Sequence, residues 1–233
     1  MNSAIWLNSP LHRGCYSEFM KKQPTALVFG SSGSIGRACV ELLSSDYQTF
    51  KGSRTFEELN LGAPFDSVVW AQGINQTKHF MESSESDWES ILDANLHFVR
   101  RSIVRLIEDS LIVNPASFVF VGSVWGRLSR CEKSAYIVSK SALEGLAIGL
   151  AADLAQFGIR VNCVMPGVVD NLMTRENLTA EQLSKIQTET LGGKLISAMD
   201  VANVVRFLCS NESSGINGQS IVIDKGWSIA RYI

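Results

Sequence analysis

Apolar residues in this chain fall into two alternating kinds of run. Short unbroken runs, Thr25–Phe29, Ser67–Ala71, Ser117–Val121, Ile159–Val164 and Ser220–Ile223, have the length of strands covered on both faces. Between them lie longer stretches with apolar residues three and four positions apart. These are Ala38, Val40, Leu42 and Leu43; then Ile91, Leu92, Leu96, Val99, Ile103, Leu106 and Ile107 within Trp88–Asp109; then Ala142 to Leu154; then Val201–Cys209. That spacing predicts helices with one buried face. Gln48–Lys51 predicts a further strand, and Phe56–Leu61 another with a brief turn. The alternation predicts a single α/β domain, a doubly wound parallel sheet with helices on both faces. Little chain separates 56–61 from 67–71, so one crossover helix is expected to be shortened to a turn. Residues 1–22 lack periodicity and predict a loose N-terminal arm, or a segment packed on a neighbouring subunit; 23–233 form the domain. Met20, before Lys21 and Lys22, is an alternative start.

Composition narrows the class. The 233 residues are 45% hydrophobic and 19% charged, ordinary for a globular protein with a sizeable core. A net charge of −2 gives no basic field for nucleic acid. His12, His79 and His97 lack zinc-ligand spacing, so no metal site is expected. Cys15, Cys39, Cys131, Cys163 and Cys209 show no paired spacing, which suits a reduced, cytoplasmic protein. No run of about 18 apolar residues predicts a membrane span. The segment Ile5-Trp6-Leu7 is too short for a signal-peptide core.

Candidate chemistry begins at Gly30-Ser-Ser-Gly33-Ser34-Ile35-Gly36, which stands between the first strand and the first helix. Glycine lets backbone approach a pyrophosphate, and a helix N-terminus offers free N–H groups and a positive dipole end. Gly30, Ser32, Gly33, Ser34, Ile35 and Gly36 are therefore candidate dinucleotide contacts, against the plainer reading of a tight turn, and the domain is read as Rossmann-type. The second strand ends at Ser53 and Arg54, with no acidic side chain to hold a ribose 2′-hydroxyl. A hydroxyl and a guanidinium suit a 2′-phosphate, so NADP(H) is expected over NAD(H), unless Arg54 is simply a solvated arginine. Tyr136 and Lys140 stand four apart at the start of a helix, on one face. An ammonium there is expected to lower the tyrosine pKa and fit the phenol for proton exchange with an alcohol or carbonyl oxygen. Ser123 stands at the carboxyl end of a strand, where ligands bind in open α/β sheets. Asn95 lies mid-helix, a poor place for asparagine.

In this order the pieces resemble the short-chain dehydrogenase/reductase family over roughly residues 23–228. The resemblance rests on the glycine turn, Ala71-Gln72-Gly73, Asn95, Ser123, Tyr136, Lys140, Pro166-Gly167 and the ending Asn217-Gly218-Gln219 to Asp224. It implies Tyr136 as general acid in reduction and base in oxidation, and Lys140 lowering its pKa and holding the nicotinamide ribose. Ser123 would hold the substrate oxygen, and Asn95 a water in a proton relay. Ala71, Gln72, Gly73, Asn95, Tyr136, Lys140, Pro166, Gly167 and Val169 would join the cofactor contacts. Departures are Phe29 and Ser34 in the glycine turn, Gln72 in the family's Asn-Ala-Gly, Asn60-Leu61 at the adenine pocket, and Asn171 or Thr174 for the usual threonine.

The expected function is an NADP(H)-dependent oxidoreductase interconverting a carbonyl and a secondary alcohol. It resembles 3-oxoacyl carrier-protein reductases and small-sugar or secondary-alcohol dehydrogenases. A carrier-protein reductase in a biosynthetic pathway and a non-catalytic nucleotide-binding scaffold are the alternatives. Val124, Trp125, Gln72, Met165 and parts of the polar 171–196 segment are the expected pocket wall, with Ser123, Trp125 and Tyr136 on substrate. Arg127, Arg130 and Lys133 are either a solvated face or a greeting for an acyl carrier protein or a phosphorylated substrate. The apolar faces of helices 88–109 and 134–155 predict a homodimer or homotetramer.

Overall fold

Six parallel strands form one sheet in the order β2-β1-β3-β4-β5-β6 in the computed structural model, which describes residues 23–53 and 64–229. The strands are β1 (Thr25–Phe29), β2 (Gln48–Gly52), β3 (Phe65–Trp70), β4 (Ile112–Val121), β5 (Ile159–Pro166) and β6 (Ser220–Ile223). Helices α1 (Ser34–Leu43) and α7 (Ala198–Cys209) bury Ala38, Cys39, Leu43, Val201, Val205 and Leu208 on one face of the sheet. On the other face, α3 (Phe98–Glu108) and α4 (Ser134–Leu154) bury Val99, Ile103, Leu106, Leu143, Ala147 and Ala151. The doubly wound α/β architecture expected from the pattern is therefore the observed one. The expected strand at Phe56–Leu61, the shortened crossover and Asn60-Leu61 lie outside the described residues, as do Arg54 and the arm 1–22.

The core of the α3–α4 face is aromatic. Trp70 is fully buried, with its ring 5.8 Å from Phe29, 5.2 Å from Phe118 and 5.3 Å from Phe120. Its indole N–H donates to the Ser102 hydroxyl at 2.7 Å, so the one polar atom of a buried indole is satisfied.

Three boundaries differ from the pattern-based expectation. The helix expected from Trp88 starts earlier, as α2 (Glu85–Leu92), because Ser84 and Asp87 form a capping box. Between α2 and α3 the backbone widens into a π-helical turn at Asp93–His97. β4 begins at Ile112, ahead of Pro115; its pairing with β3 shifts register between Phe65 and Ser67, an irregularity that accommodates a residue without an N–H. The polar segment 171–196 holds two short helices, α5 (Leu172–Asn177) and α6 (Ala180–Glu189). α4 with its continuation to Phe157 is long and apolar enough to cross a membrane by length and composition alone. In this fold it buries Lys140, Leu143, Ala147 and Leu154.

Candidate active site

The carboxyl ends of β1, β3, β4 and β5 open on a cleft of about 110 Å3. Ile35, Gly122, Ser123, Tyr136, Pro166, Gly167 and Val169 line it, so the glycine turn, the strand-end serine and the tyrosine helix converge on one space.

Ser123 follows β4 and is buried; its Oγ accepts the Trp125 N–H at 3.2 Å, and it lines the cleft together with Tyr136. Lys140, one turn along α4, is 4% exposed, with Nζ 5.7 Å from the centre of the Tyr136 ring. The two side chains share a helix face, as their spacing predicts. The electrostatic expectation is corrected. Burial pushes the Tyr136 phenol up to about 12, with the Ser123 hydrogen bond opposing. Burial also pulls Lys140 down to about 8, against the influence of the Cys163 thiol. The Lys140 ammonium donates to the Val121 carbonyl at 2.9 Å, and desolvation governs both groups.

Asn95 explains the π-helical turn. Such turns re-aim single residues, often at functional sites. Here the turn buries Asn95 completely, its Oδ1 accepting the Ile74 N–H at 2.8 Å. Its Nδ2 donates to the Ile74 carbonyl at 3.0 Å and to the Ser139 hydroxyl at 2.9 Å. Asn95 thus ties the loop after β3 to the first turns of α4. A Cβ on Gly73 would sit 3.1 Å from Asn95 Oδ1 and 3.3 Å from Lys140 Nζ, so both polar groups flank that backbone.

The glycine turn fits a dinucleotide. Gly30 has φ of +75°, and a Cβ there would meet the Gln72 backbone N at 2.4 Å. A Cβ on Gly36 would meet the Gly30 carbonyl at 2.1 Å. Only glycine allows both close approaches. Gly33 turns back on Gly30 through a 3.0 Å backbone hydrogen bond and precedes α1 with an ordinary φ of −73°. No side chain caps α1, and its first turn holds no acidic residue, which leaves its N–H groups for an anion. Beside this turn, both amide atoms of Gln72 are buried without a hydrogen-bond partner among the described residues. A buried amide of that kind suits a polar ligand at the turn. Ser32 belongs to the same turn, and Ala71 continues β3 by donating its N–H to the Phe29 carbonyl. Ser53 follows β2 directly.

Several expectations about the wall change. Val124 and Met165 are core residues, 2% and 0% exposed, and do not line the cleft. Trp125 does line it, with Asn75, Arg130, Asn171, Met173 and Thr174. Asn171 caps α5 through Thr174 and donates to the Ser34 hydroxyl at 3.0 Å, linking the covering segment to the glycine turn. Sequence spacing gave no signal for that contact across 137 positions. Lys133 is 2% exposed, and its ammonium donates to Asn75 Oδ1 at 2.8 Å, to the Gln76 carbonyl at 3.1 Å and to the Thr77 hydroxyl. Burial, with Arg130 nearby, pulls it down to about 8. Arg127 pairs with Glu144 at 2.6 Å. The expected three-cation patch is therefore divided, and only Arg130 reaches the cleft.

The family model described as enoyl-(acyl carrier protein) reductase matches residues 53–228. With the parallel sheet and the Ser–Tyr–Lys site, this shows the chain's place: it belongs to the short-chain dehydrogenase/reductase family. Cyclopentanol dehydrogenase of Comamonas sp. is 33% identical over 164 residues, covering 70% of this chain and 66% of the relative. The 3-oxoacyl-[acyl-carrier-protein] reductase FabG of Escherichia coli is 28% identical over 234 residues, covering 86% of this chain and 96% of the relative. A short chain dehydrogenase family protein from Francisella tularensis superposes with a TM-score of 0.79 at 25% identity, covering 89% of this chain and 99% of that one.

Proposed function

We propose that the protein is an NADP(H)-dependent oxidoreductase that interconverts a carbonyl and a secondary alcohol. The observation that carries this reading is that Ser123 and Tyr136 line one cleft, with Lys140 on the same helix face as the phenol. When bound, the nicotinamide supplies or accepts the hydride. The chain's own residues manage the proton. Tyr136, held neutral to about pH 12, is the O–H that protonates a carbonyl oxygen in reduction. Ser123 presents a second hydroxyl to that oxygen and steadies the charge that develops on it. Lys140 keeps a buried ammonium beside the phenol below about pH 8, favouring return of a proton to it. Asn95 positions the 73–74 backbone and the start of α4, and serves the relay through a water. Gly30, Ser32, Gly33, Ser34, Ile35 and Gly36 hold the pyrophosphate side; Ala71, Gln72, Gly73, Pro166, Gly167 and Val169 hold the nicotinamide side.

Support for a nicotinamide cofactor also comes from a fold neighbour, a 4-hydroxyisoleucine dehydrogenase complexed with NADH. The preference for NADP(H) rests on Ser53 and Arg54 and the lack of an acid beside them. Comparing kcat/KM for NADPH and NADH tests it, and a strong NADH preference would reject it. The same assay with Tyr136→Phe tests the chemistry, since retained turnover would mean another group moves the proton.

The assembly reading is a homodimer or homotetramer through α3 and α4. Val104, Val138 and Ile148 on these helices are 40%, 45% and 60% exposed. Light scattering that finds only a monomer would reject it. The free thiols of Cys39, Cys131, Cys163 and Cys209 suit a cytoplasmic setting.

A further inference from the structure

We propose that the substrate carries an anionic group, a carboxylate or a phosphate, and that Arg130 binds it inside the cleft. This rests on the carbonyl–alcohol reading of the same site and names the substrate class. Among the described residues lining the cleft, Arg130 is the sole charged side chain. The cleft therefore has a sign, although the chain as a whole carries −2.

The two neighbouring cations are engaged elsewhere, Arg127 on Glu144 and Lys133 on the 75–77 loop. Arg130 is half-buried and has no ion pair or side-chain hydrogen bond among the described residues. It is nonetheless oriented. Its guanidinium lies over the Trp125 ring, 5.6 Å from the centroid. Trp125 packs edge-on against Trp227 at 5.3 Å, and the Trp227 indole N–H donates to Glu189 at 3.3 Å. Glu189 closes α6, so this stack reaches from the loop after Ser123 to the covering segment. A guanidinium fixed by its π face keeps its N–H edge, five donors in one plane, for a carboxylate or phosphate. A partly desolvated cation without a counter-charge is costly, and an anionic substrate would relieve that cost as it binds.

Two matched pairs of carbonyl probes test this with NADPH: 4-oxopentanoate against its methyl ester, and dihydroxyacetone phosphate against dihydroxyacetone. The wild type is expected to favour a charged member over its neutral partner by at least about tenfold in kcat/KM. Arg130→Gln should erase that preference mainly through KM, and Arg130→Lys should restore part of it. Whichever pair shows the preference identifies carboxylate or phosphate. Equal use of both members in both pairs overturns the proposal, as does an equal loss on charged and neutral probes in Arg130→Gln. A parallel loss of NADPH affinity in that variant overturns it too, by assigning the guanidinium to the cofactor. Tryptophan emission reads binding without turnover. Quenching by 4-oxopentanoate or dihydroxyacetone phosphate that Arg130→Gln abolishes supports the anion site even if neither is reduced, and no quenching by either overturns it. The oxidoreductase reading fails separately, through NADPH binding with no turnover on any carbonyl probe.

Discussion

The two ends of the sheet carry cavities of opposite character. At the amino ends of the strands, a cavity of about 580 Å3 is lined by Asp46, Tyr47, Asp66, Arg160, Arg206 and Cys209, among others. At the carboxyl ends the cleft is about 110 Å3. In the larger space the polar side chains are engaged with backbone carbonyls or with one another. Arg160 donates to the carbonyls of Leu208, Ser210 and Ile216 at 2.9, 3.1 and 3.2 Å. Tyr47 and Ser67 donate to the Cys209 carbonyl, and Arg206 pairs with Asp46 at 2.5 Å. The bonds to the Leu208, Cys209 and Ser210 carbonyls cap the carboxyl end of α7, where orphan carbonyls collect. At and beside the small cleft the reverse holds among the described residues: a guanidinium without an anion, Ser123 and Tyr136 lining the space, and, at the neighbouring glycine turn, an unpartnered Gln72 amide and an uncapped helix start. Volume alone does not make a site; polar groups left for a ligand do.

The largest expected effect separates the two ends at once. Tyr136→Phe should lower kcat for carbonyl reduction by about 10³-fold while NADPH binding, read by fluorescence titration, stays near the wild-type value. The ring is kept and only the proton donor goes. A residual rate within tenfold of the wild type would move the chemistry off this residue.

Lys140→Met sharpens the comparison by setting activity against stability. The Lys140 ammonium is buried, so its folded pKa of about 8 lies below the ordinary 10.5. The unfolded chain therefore holds the proton more tightly between those values. The cost of the buried charge is full below about pH 8 and is relieved as pH rises from about 8 to 10.5. Removing the charge should stabilise the protein at pH 7 by up to about 3 kcal/mol, measured by urea unfolding. Lys133 carries a shift of the same direction, so the difference curve between wild type and variant isolates Lys140. Reduction should fall about 10²-fold in the same variant. In the wild type, kcat/KM for reduction should decline above about pH 8 as the ammonium is lost, since the phenol stays protonated to about 12. Lys140→Met should abolish that decline. A variant less stable at pH 7, or a decline that persists, would remove the charge from the account.

Most of the sheet was legible because each buried strand is a short apolar run and each helix repeats its apolar face. Ser123, Tyr136 and Lys140 were legible for a related reason: their positions follow from local features, a strand end and a four-residue step. What escaped was set by contacts distant in sequence. The division of Arg127, Arg130 and Lys133 depends on Glu144, Trp125 and the 75–77 loop, none of which the charge run announces. The phenol's upward shift depends on burial, which a four-residue spacing does not encode. Asn95 was visible as an anomaly in a helix, yet its cause, a π-helical turn aimed at Ile74 and Ser139, needs coordinates. The Ser84–Asp87 capping box was readable from four residues; apolar periodicity alone placed the helix start too late.

The amino end should respond in stability alone. Arg160→Met removes the guanidinium's hydrogen bonds to three carbonyls, each of which keeps another donor, and should cost about 2 kcal/mol, with kcat/KM unchanged. A change in kcat/KM there would mean the two ends communicate through β5.

The smallest effect belongs to Tyr47→Phe. The Tyr47 hydroxyl donates to the Cys209 carbonyl at 2.9 Å, while the ring packs in the α1–α7 core. Phenylalanine keeps the ring and loses one buried hydrogen bond, and the acceptor keeps the Ser67 hydroxyl at 3.3 Å. The loss should therefore sit near the low end for such bonds, about 1 kcal/mol in urea unfolding. Above pH 10 even that difference should change sign. Burial holds the phenol up to about 12, so the unfolded tyrosine ionises first and wild-type stability falls with pH where the variant's does not. Equal alkaline slopes in the two proteins would show that the Tyr47 hydroxyl is solvated. The amino-end cavity would then hold a polar group free for a ligand, and the contrast between the two ends of the sheet would fail.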